Sequence, residues 1–401
     1  MAGPLTGIRV LDLSQVVAGP VCTMLLAEQG AEVIKVEFLE GEILRKSFSY
    51  SRNNTGALVL NCNRGKLGVA LDLNQPEGIE IVKKLAADVD VFVQNYRAGA
   101  IERLGITAEE LRAENDKLIT VWMSGYGQTG PMADRPVFDP VMQAATGHVS
   151  LQVNPRVPFP DVHRTIICDK STALTTAQAI TAALFARERP GPNHGKGQHI
   201  EVSMLDTGIY FLWPDGAMAD TLIGDEPVLQ GPTLYEAMSV TQCSDGHIVY
   251  YLAGPRHFDG FVRAIGHADW LEDERFNNPV SRAQPENAGL LSDAIYNAFA
   301  SMTVEDAIAA LDSGDVPAAP MLSVGEVPDH PQVKHNEVFT EWEHPVAGKL
   351  RQPRAAAQFS ATPNEPGWFV PELGEDTETV LRDAGITDES LLALRSAGVI
   401  N

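Results

Sequence analysis

The sequence predicts an α/β protein in which a large Rossmann-like doubly wound domain is joined to a smaller α+β domain. Three observations lead to this fold class. Short apolar segments alternate with segments of helical spacing through the first half of the chain. Glycine and proline separate these segments at their ends. In the second half, Asp245-Gly246 stands between two apolar segments, which is typical of a hairpin of antiparallel strands.

The N-terminal segments form a βαβ unit. Ile8–Ser14 (IRVLDLS) is predicted as a buried strand and Glu32–Glu37 (EVIKVE) as the next strand. Gly19–Gln29 between them is predicted as a helix, because Pro20 stands at its start and Gly30 follows its end. A strand, a helix and a second strand in this order predict a parallel pair.

The same alternation continues to residue 204. The predicted strands are Val69–Leu73, Val89–Gln94, Leu118–Ser124 and His199–Met204, and the predicted helices are Glu77–Ala87, Ala108–Glu114 and Thr172–Arg187. Parallel strands linked by crossover helices imply a doubly wound sheet with helices on both faces.

A second domain follows. Glu236–Leu252 is predicted as antiparallel β structure, and Arg256–Ile265, Asn287–Met302 and Val304–Asp312 as helices. The predicted boundaries are residues 1–221 for the first part of the large domain, 222–325 for the small domain, and 326–401 for a segment that returns to the large domain.

Composition limits the expected partners. The net charge of −23 arises from 30 Lys and Arg against 53 Asp and Glu. Such a charge repels nucleic-acid phosphates and anionic lipid, so we expect neither nucleic-acid nor membrane partners. The cysteines and histidines show no disulfide or metal-ligand spacing, so no metal site is expected. We expect a cytoplasmic location, because the N-terminus lacks the pattern of a signal peptide.

Turns at the carboxyl ends of the strands are the expected ligand site, because open α/β sheets bind ligands there. Gly125–Gly130 matches G-x-G-x-x-G, but Pro131 and a polar loop follow it, which disfavours a dinucleotide fingerprint. Near these turns the sequence places a group of cations in an otherwise acidic chain: Arg64, Lys66, Arg97, Arg103 and Arg135. Such a group is either a solvated face or a phosphate site.

Asp169 ends an apolar segment just before the predicted helix Thr172–Arg187. A carboxylate in this place either caps the helix, as Ser171 could also do, or is held ionised and directed at an electrophile. The residues alone leave both interpretations open. The neighbouring Cys168 is predicted as a small buried side chain.

The chain resembles the class III coenzyme A transferases over nearly its whole length. The matching segments are GIRVLDLSQVVAGP, GAEVIKVE, LNCNRGKLGVALDL, VFVQNYRAGAIERLG, SGYGQTGP, GKGQHIEVSMLD, VPAAPMLSVGEV, HPVAG and the surroundings of Asp169. The resemblance implies an interlocked homodimer and coenzyme A as the cofactor, with an acyl-CoA donor and a carboxylic acid acceptor. It also implies that Asp169 is catalytic and carries first the acyl group, as an anhydride, and then coenzyme A, as a thioester.

The resemblance also implies the cofactor-binding residues. Family positions that contact coenzyme A are matched by Val17, Ala18, Asn95, Tyr96, Arg97 and Arg103. Arg64 and Lys66 lie in the basic segment of the family, and Arg135 is added from the cation group. Phe38 stands where formyl-CoA transferase has an arginine beside the nucleotide, so rearranged phosphate contacts are expected.

Two alternatives stay open. The α-methylacyl-CoA racemases belong to the same family and use a histidine with an aspartate, but Phe138 stands at the histidine position here. A transfer of coenzyme A within one dicarboxylic acid would use the same aspartate as an intermolecular transfer.

Overall fold

The computed structural model describes residues 3–46, 50–53, 55–152, 159–228, 238, 240–364 and 369–401. The chain divides into two compact units. Unit 1 consists of Met1–Pro214 and Asn336–Asn401, and unit 2 of Asp215–His335. The boundaries of unit 2 therefore differ from the predicted 222–325.

The first part of unit 1 alternates strands and helices. The strands are β1 (Arg9–Asp12), β2 (Glu32–Glu37), β3 (Ser51–Arg52), β4 (Thr55–Gly56), β5 (Lys66–Ala70), β6 (Val91–Gln94), β7 (Ile119–Ser124) and β8 (His199–Ser203). The helices are α1 (Ala18–Glu28), α2 (Ile43–Lys46), α3 (Ala57–Cys62), α4 (Pro76–Ala86), α5 (Ala100–Arg103), α6 (Ala108–Glu114), α7 (Asp139–Ala145), α8 (Ile167–Glu188) and α9 (Met204–Gly216).

Six of these strands form one sheet in the order β5-β2-β1-β6-β7-β8, and every neighbouring pair is parallel. This is the strand order of a Rossmann sheet, in which the direction of winding reverses between the first and fourth strands. Here the reversal falls between β1 and β6. The parallel sheet confirms the predicted α/β class.

The sheet is buried on both faces because its strands carry apolar residues on both sides. Val10 and Val93 face a core that includes α1 and α8, whereas Leu11 and Phe92 face a core that includes α4 and the last helices of the chain. The helix α4 shows how the sequence sets these elements. Its first residue is proline, its first turn is acidic and its last turn carries lysines, as the helix dipole favours.

Unit 2 contains a small antiparallel sheet and a group of helices. Its elements are α10 (Met218–Thr221), β9 (Thr241–Gln242), β10 (His247–Tyr250), α11 (Pro255–Ala264), α12 (Pro279–Arg282), α13 (Pro285–Ala300), α14 (Val304–Ser313), β11 (Ala318–Pro320) and α15 (Pro331–His335). β10 lies between β9 and β11 and is antiparallel to both. Phe261, Phe276 and Phe299 are at the centre of a separate core. Glu236, where the antiparallel segment was predicted to begin, lies outside the described residues.

The end of the chain belongs to unit 1 and covers the outer strand of the large sheet. Its elements are β12 (Phe339–His344), β13 (Gly348–Pro353), α16 (Thr377–Asp383) and α17 (Asp388–Ser396). Asp376 accepts the N–H of Gly68 at 2.7 Å, and the hydroxyl of Thr377 accepts the N–H of Ala70 at 3.0 Å. The free edge of β5 is thereby hydrogen-bonded by the tail.

Two predicted elements are displaced. β5 begins at Lys66 instead of Val69, because the charged side chain of Lys66 is neutralised inside the protein by Asp12. The helix predicted at Thr172–Arg187 begins five residues earlier, at Ile167, so Asp169 lies inside its first turn and not before it. The carboxylate of Asp139 accepts N–H groups of that turn, which allows the earlier start.

Candidate active site

A cleft lies within unit 1 where the winding of the sheet reverses. Residues that follow β1 and β6 line it, together with residues of the loop after β7 and the start of α8, and its volume is about 270 Å³. Ligands bind at this place in open α/β sheets, because the loops after the two central strands diverge to opposite faces. The predicted site residues that line the cleft are Val17, Ala18, Asn95, Tyr96, Arg97, Arg135 and Asp169.

The turn after β1 forms one wall of the cleft. Val16 has a backbone φ of 67°, in the left-handed region that a β-branched residue rarely adopts. Asn95 holds the preceding residue: its Oδ1 accepts the N–H of Gln15 at 2.7 Å, and its Nδ2 donates to the Gln15 carbonyl at 2.8 Å. The helix α1 then begins at Ala18, so the N–H groups of its first turn, which have no partner within the helix, lie at this wall.

Asp169 also lines the cleft, from the first turn of α8. The fully buried carboxylate of Asp139 organises this turn: its Oδ2 accepts the N–H groups of Cys168 at 2.7 Å and of Asp169 at 3.0 Å. Gln143 donates to the other oxygen of Asp139. Because Asp139 provides the cap, the side chain of Asp169 is not required as one and is available to the cleft.

Burial of its carboxyl and the negative charge of Asp139 raise the pKa of Asp169 from 3.8 to about 7. The N-terminal end of α8 favours the anion, but these two effects outweigh it. A carboxylate with a pKa near neutrality is a stronger base and nucleophile than an exposed one, and it is still ionised in a large fraction of molecules.

The neighbouring Cys168 is not equipped for nucleophilic attack. Its side chain is fully buried, and burial, with the charge of Asp139, raises the pKa of the thiol to about 12. The prediction of a small buried side chain is confirmed.

Apolar side chains form part of the lining of the cleft that Asp169 also lines. Met123, Val137, Phe138 and Met204 line the cleft. Phe138 is 63% exposed at its position before α7. A ligand in this cleft would displace water from an apolar surface, which favours chemistry that water would otherwise interrupt.

Two guanidinium groups border the cleft. Arg97 follows β6 and Arg135 lies in the loop after β7, and both side chains are exposed. Among the described residues neither forms an ion pair with a carboxylate. Each is therefore free to bind an anionic ligand.

Arg103 lies in a different cavity. This second cavity has a volume of about 330 Å³, and Arg103 lines it together with Lys83 and residues at the start of α4, including Gln75. A single segment, residues 97–103, contributes Arg97 to the cleft and Arg103 to the second cavity. Phe38, where an altered phosphate contact was expected, packs against the core of the large sheet.

Two of the predicted cofactor-binding cations are used inside the protein. The buried Nζ of Lys66 pairs with Asp12 at 2.9 Å and donates to Asn63 at 2.8 Å. Arg64 forms a buried ion pair with Glu28. Releasing either cation to a phosphate would leave a buried carboxylate unpaired, at a large cost. The structure does not support a cofactor contact for Arg64 and Lys66.

The sequence did not indicate two of the residues that organise the site. Asp139 accepts an N–H group of α8 although it lies 30 residues away along the chain, and no local sequence pattern predicts such a contact. Glu42, whose carboxylate accepts the N–H of Val16 at 2.8 Å, precedes the short helix α2 and lies outside every quoted motif. Both are buried charged residues, and their function is visible only in the folded chain.

The described part of the chain contains neither a cluster of metal-binding side chains nor a membrane-spanning helix. No group of three or more potential ligands is arranged there to hold a metal ion. No helix there is both long and apolar enough to cross a bilayer.

Comparison with known proteins supports one family. The sequence profile of CoA-transferase family III matches residues 5–377. The chain is 30% identical over 402 residues to succinyl-CoA:glutarate CoA-transferase of Mus musculus, covering 99% of this chain and 90% of the relative. It is 31% identical over 396 residues to succinyl-CoA:mesaconate CoA-transferase of Haloarcula hispanica, covering 96% and 97%.

A solved structure gives the same result for the fold. A CAIB/BAIF family protein from Brucella suis superimposes with a TM-score of 0.81 at 28% identity, covering 96% of this chain and 100% of the other.

Proposed function

The chain belongs to CoA-transferase family III, and on that premise we propose that Asp169 carries out the transfer of coenzyme A from an acyl-CoA to a carboxylic acid as a covalent nucleophile. The observation that carries this proposal is the position of its carboxyl, at a cleft that is partly lined by apolar side chains, with a pKa raised to about 7 by burial and by Asp139.

In the first half of the proposed reaction, a carboxylate oxygen of Asp169 attacks the thioester carbonyl carbon of the donor. A carbon–oxygen bond forms, the carbon–sulfur bond breaks, and coenzyme A leaves as its thiolate. The thiolate then attacks the side-chain carbonyl carbon of Asp169, which releases the donor acid as a carboxylate and leaves coenzyme A on Asp169 as a thioester.

In the second half, a carboxylate oxygen of the acceptor attacks the same carbon of Asp169 and expels the thiolate again, forming a second anhydride. Attack of the thiolate on the acceptor carbonyl carbon yields the new acyl-CoA and regenerates the carboxylate. Each step exchanges one activated acyl group for another. Water must be excluded throughout, which the apolar wall of the cleft favours.

We propose that the pantetheine arm lies in the cleft and that the nucleotide extends along residues 97–103. This placement is supported by the two cavities that the segment joins, one lined by Arg97 and the other by Arg103 and Lys83. Guanidinium and ammonium groups bind phosphate oxygens well. In this acidic protein, which otherwise repels anions, these cations would bind the phosphates of the nucleotide.

Trapping of the intermediate tests the proposal. The protein is incubated with succinyl-CoA, which the names of both relatives contain, and then with hydroxylamine, before peptide mass analysis. We expect the modified peptide to contain Asp169, and Asp169→Ala to abolish both labelling and transfer. Asp383→Ala, which removes an exposed carboxyl on α16, is the matched control. Normal transfer by Asp169→Ala would refute the mechanism.

Two further measurements distinguish the alternatives. Exchange of the α-proton of the acyl group with deuterium, without an acceptor, would indicate a racemase. Phe138 at the cleft speaks against this, because a phenyl ring cannot transfer a proton. Product formed from a dicarboxylic acyl-CoA without exchange into added free acid would indicate intramolecular transfer.

We also propose a homodimer in the cytoplasm. The exposed aromatic side chains of α9 support an interface, since Tyr210 is 78%, Phe211 53% and Trp213 45% exposed. Sedimentation velocity of the whole chain would show the dimer directly.

A further inference from the structure

The turn after β1 contains a conformation that its own sequence opposes. Val16 is β-branched, and such a residue at a φ of 67° is strained and persists only where its surroundings enforce it. The turn ends at Val17, which precedes the first residue of α1, and both Val16 and Val17 line the cleft. The direction in which α1 presents its first N–H groups to the cleft therefore depends on Val16 remaining in this conformation.

The buried carboxylate of Glu42 holds Val16 in this conformation. The Oε2 of Glu42 accepts the N–H of Val16 at 2.8 Å. Its Oε1 lies 3.5 Å from the ammonium of Lys35, and the side chains of both residues are only 1% exposed. The same ammonium donates to the carbonyl of Ser14 at 2.8 Å. Glu42 and Lys35 together therefore fix two points of the turn.

Glu42 does not line the cleft itself. A buried carboxylate far from a ligand is normally a structural residue, and the buried charges around it belong to a wider network that includes Asp12 and Lys66. What distinguishes Glu42 is the group that it holds, which is the backbone of a strained residue at the wall of the site.

We propose that Glu42 is a positioning residue for coenzyme A transfer, which holds Val16 in the left-handed conformation so that the start of α1 faces the bound acyl-CoA. This inference rests on the proposed function for its kinetic consequences, but not for its conformational ones. Without the carboxylate, Val16 relaxes to a negative φ and the wall of the cleft moves.

The test compares Glu42→Ala with Asp90→Ala. Asp90 is a matched control, because it also accepts a backbone N–H, that of Arg9, at 2.8 Å and also pairs with a buried cation, Arg187, at 2.8 Å. It lies before β6, at the opposite end of that strand from the cleft. Both variants are expected to lose stability, but only Glu42→Ala is expected to weaken the binding of free coenzyme A, by about tenfold in Kd.

A second substitution separates position from stability. Glycine adopts a positive φ without strain, so Val16→Gly combined with Glu42→Ala is expected to recover about threefold of the lost affinity. Glu42→Gln, which keeps an acceptor oxygen for the N–H of Val16, is expected to retain most of the affinity. If Glu42→Ala does not fold, Glu42→Met, which keeps the length of the side chain but has no acceptor oxygen, is expected to show the same loss. Equal Kd values for wild type, Glu42→Ala and Glu42→Gln would overturn the proposal.

A crystal structure of Glu42→Ala without ligand makes the test independent of the enzymatic activity. We expect Val16 at a negative φ. A φ that stays near 67° would overturn the positioning role, even if the wild-type protein transfers coenzyme A as proposed. A relaxed Val16 in a protein that binds no coenzyme A would instead support only the conformational part of the role, that Glu42 holds Val16, and would refute the proposed function.

Discussion

Replacing Asp169 by asparagine should stabilise the protein, and the gain should depend on pH. The side chain keeps its shape but loses the ability to ionise. In the wild type, the pKa of the carboxyl is about 7 in the folded state against an ordinary 3.8. Below about pH 4 both states hold the proton. As the pH rises towards 7, only the unfolded state releases it, so folding stability is lost over this interval.

The magnitude follows from the shift. A difference of about three pKa units corresponds to about 4 kcal/mol at about 1.4 kcal/mol per unit. Asp169 is partly exposed at the cleft, and water screens part of this cost, so we expect about 2 kcal/mol. Asp169→Asn should therefore be more stable than the wild type by about 2 kcal/mol at pH 8, and the difference should approach zero near pH 4.

Urea unfolding of both proteins between about pH 4 and pH 8 measures this difference. Asp383→Asn removes one negative charge at an exposed site on α16 and controls for the change in net charge. A stability difference that does not change with pH, or a variant that is less stable than wild type above pH 7, would refute the explanation that burial and Asp139 raise the pKa of Asp169.

Two further predictions concern turnover and binding. The value of kcat/KM should rise with pH through about 7 as Asp169 ionises. Asp139→Asn keeps an oxygen for the N–H groups of α8 but removes the negative charge, so it should lower the pH of this inflection by about one unit. An inflection at the same pH in the steady-state profile of the variant would contradict the assignment. Arg103→Met should raise the KM for an acyl-CoA about tenfold and leave the KM for the corresponding acyl-pantetheine unchanged, because only the acyl-CoA carries the phosphates. Equal effects on the KM of both substrates would exclude the second cavity as the nucleotide site.

The sequence predicted the elements of the large sheet because apolar periodicity and the turn residues between segments are local properties. Glu32–Glu37 and Ala108–Glu114 were predicted with the bounds that the structure has. The place of the cleft also followed, since parallel strands bring the turns after Ser14 and Gln94 to one edge of the sheet.

Contacts between distant parts of the chain explain the remaining differences. Lys66 belongs to a basic segment in the sequence, yet folding places it against Asp12, 54 residues away, and buries its charge. The start of α8 depends on its hydrogen bond to Asp139, which a local sequence pattern does not predict either. A charged residue is expected at the surface unless an oppositely charged partner or a hydrogen-bond partner is known. For Lys66 and Asp139 that partner is known only from the fold.

The covered edge of β5 has a consequence for biosynthesis. The groups that satisfy it come from Asp376 and Thr377, and a Cβ at Gly68 would lie 2.9 Å from the carbonyl oxygen of Glu372, so the tail fits closely. Val399 and Ile400 are buried in the same core as the first strands. On the ribosome, the strands made early remain uncovered until residues 376–400 have been translated. Until then their open edge can pair with another nascent chain, so a stalled or shortened product is a candidate for chaperone binding or aggregation.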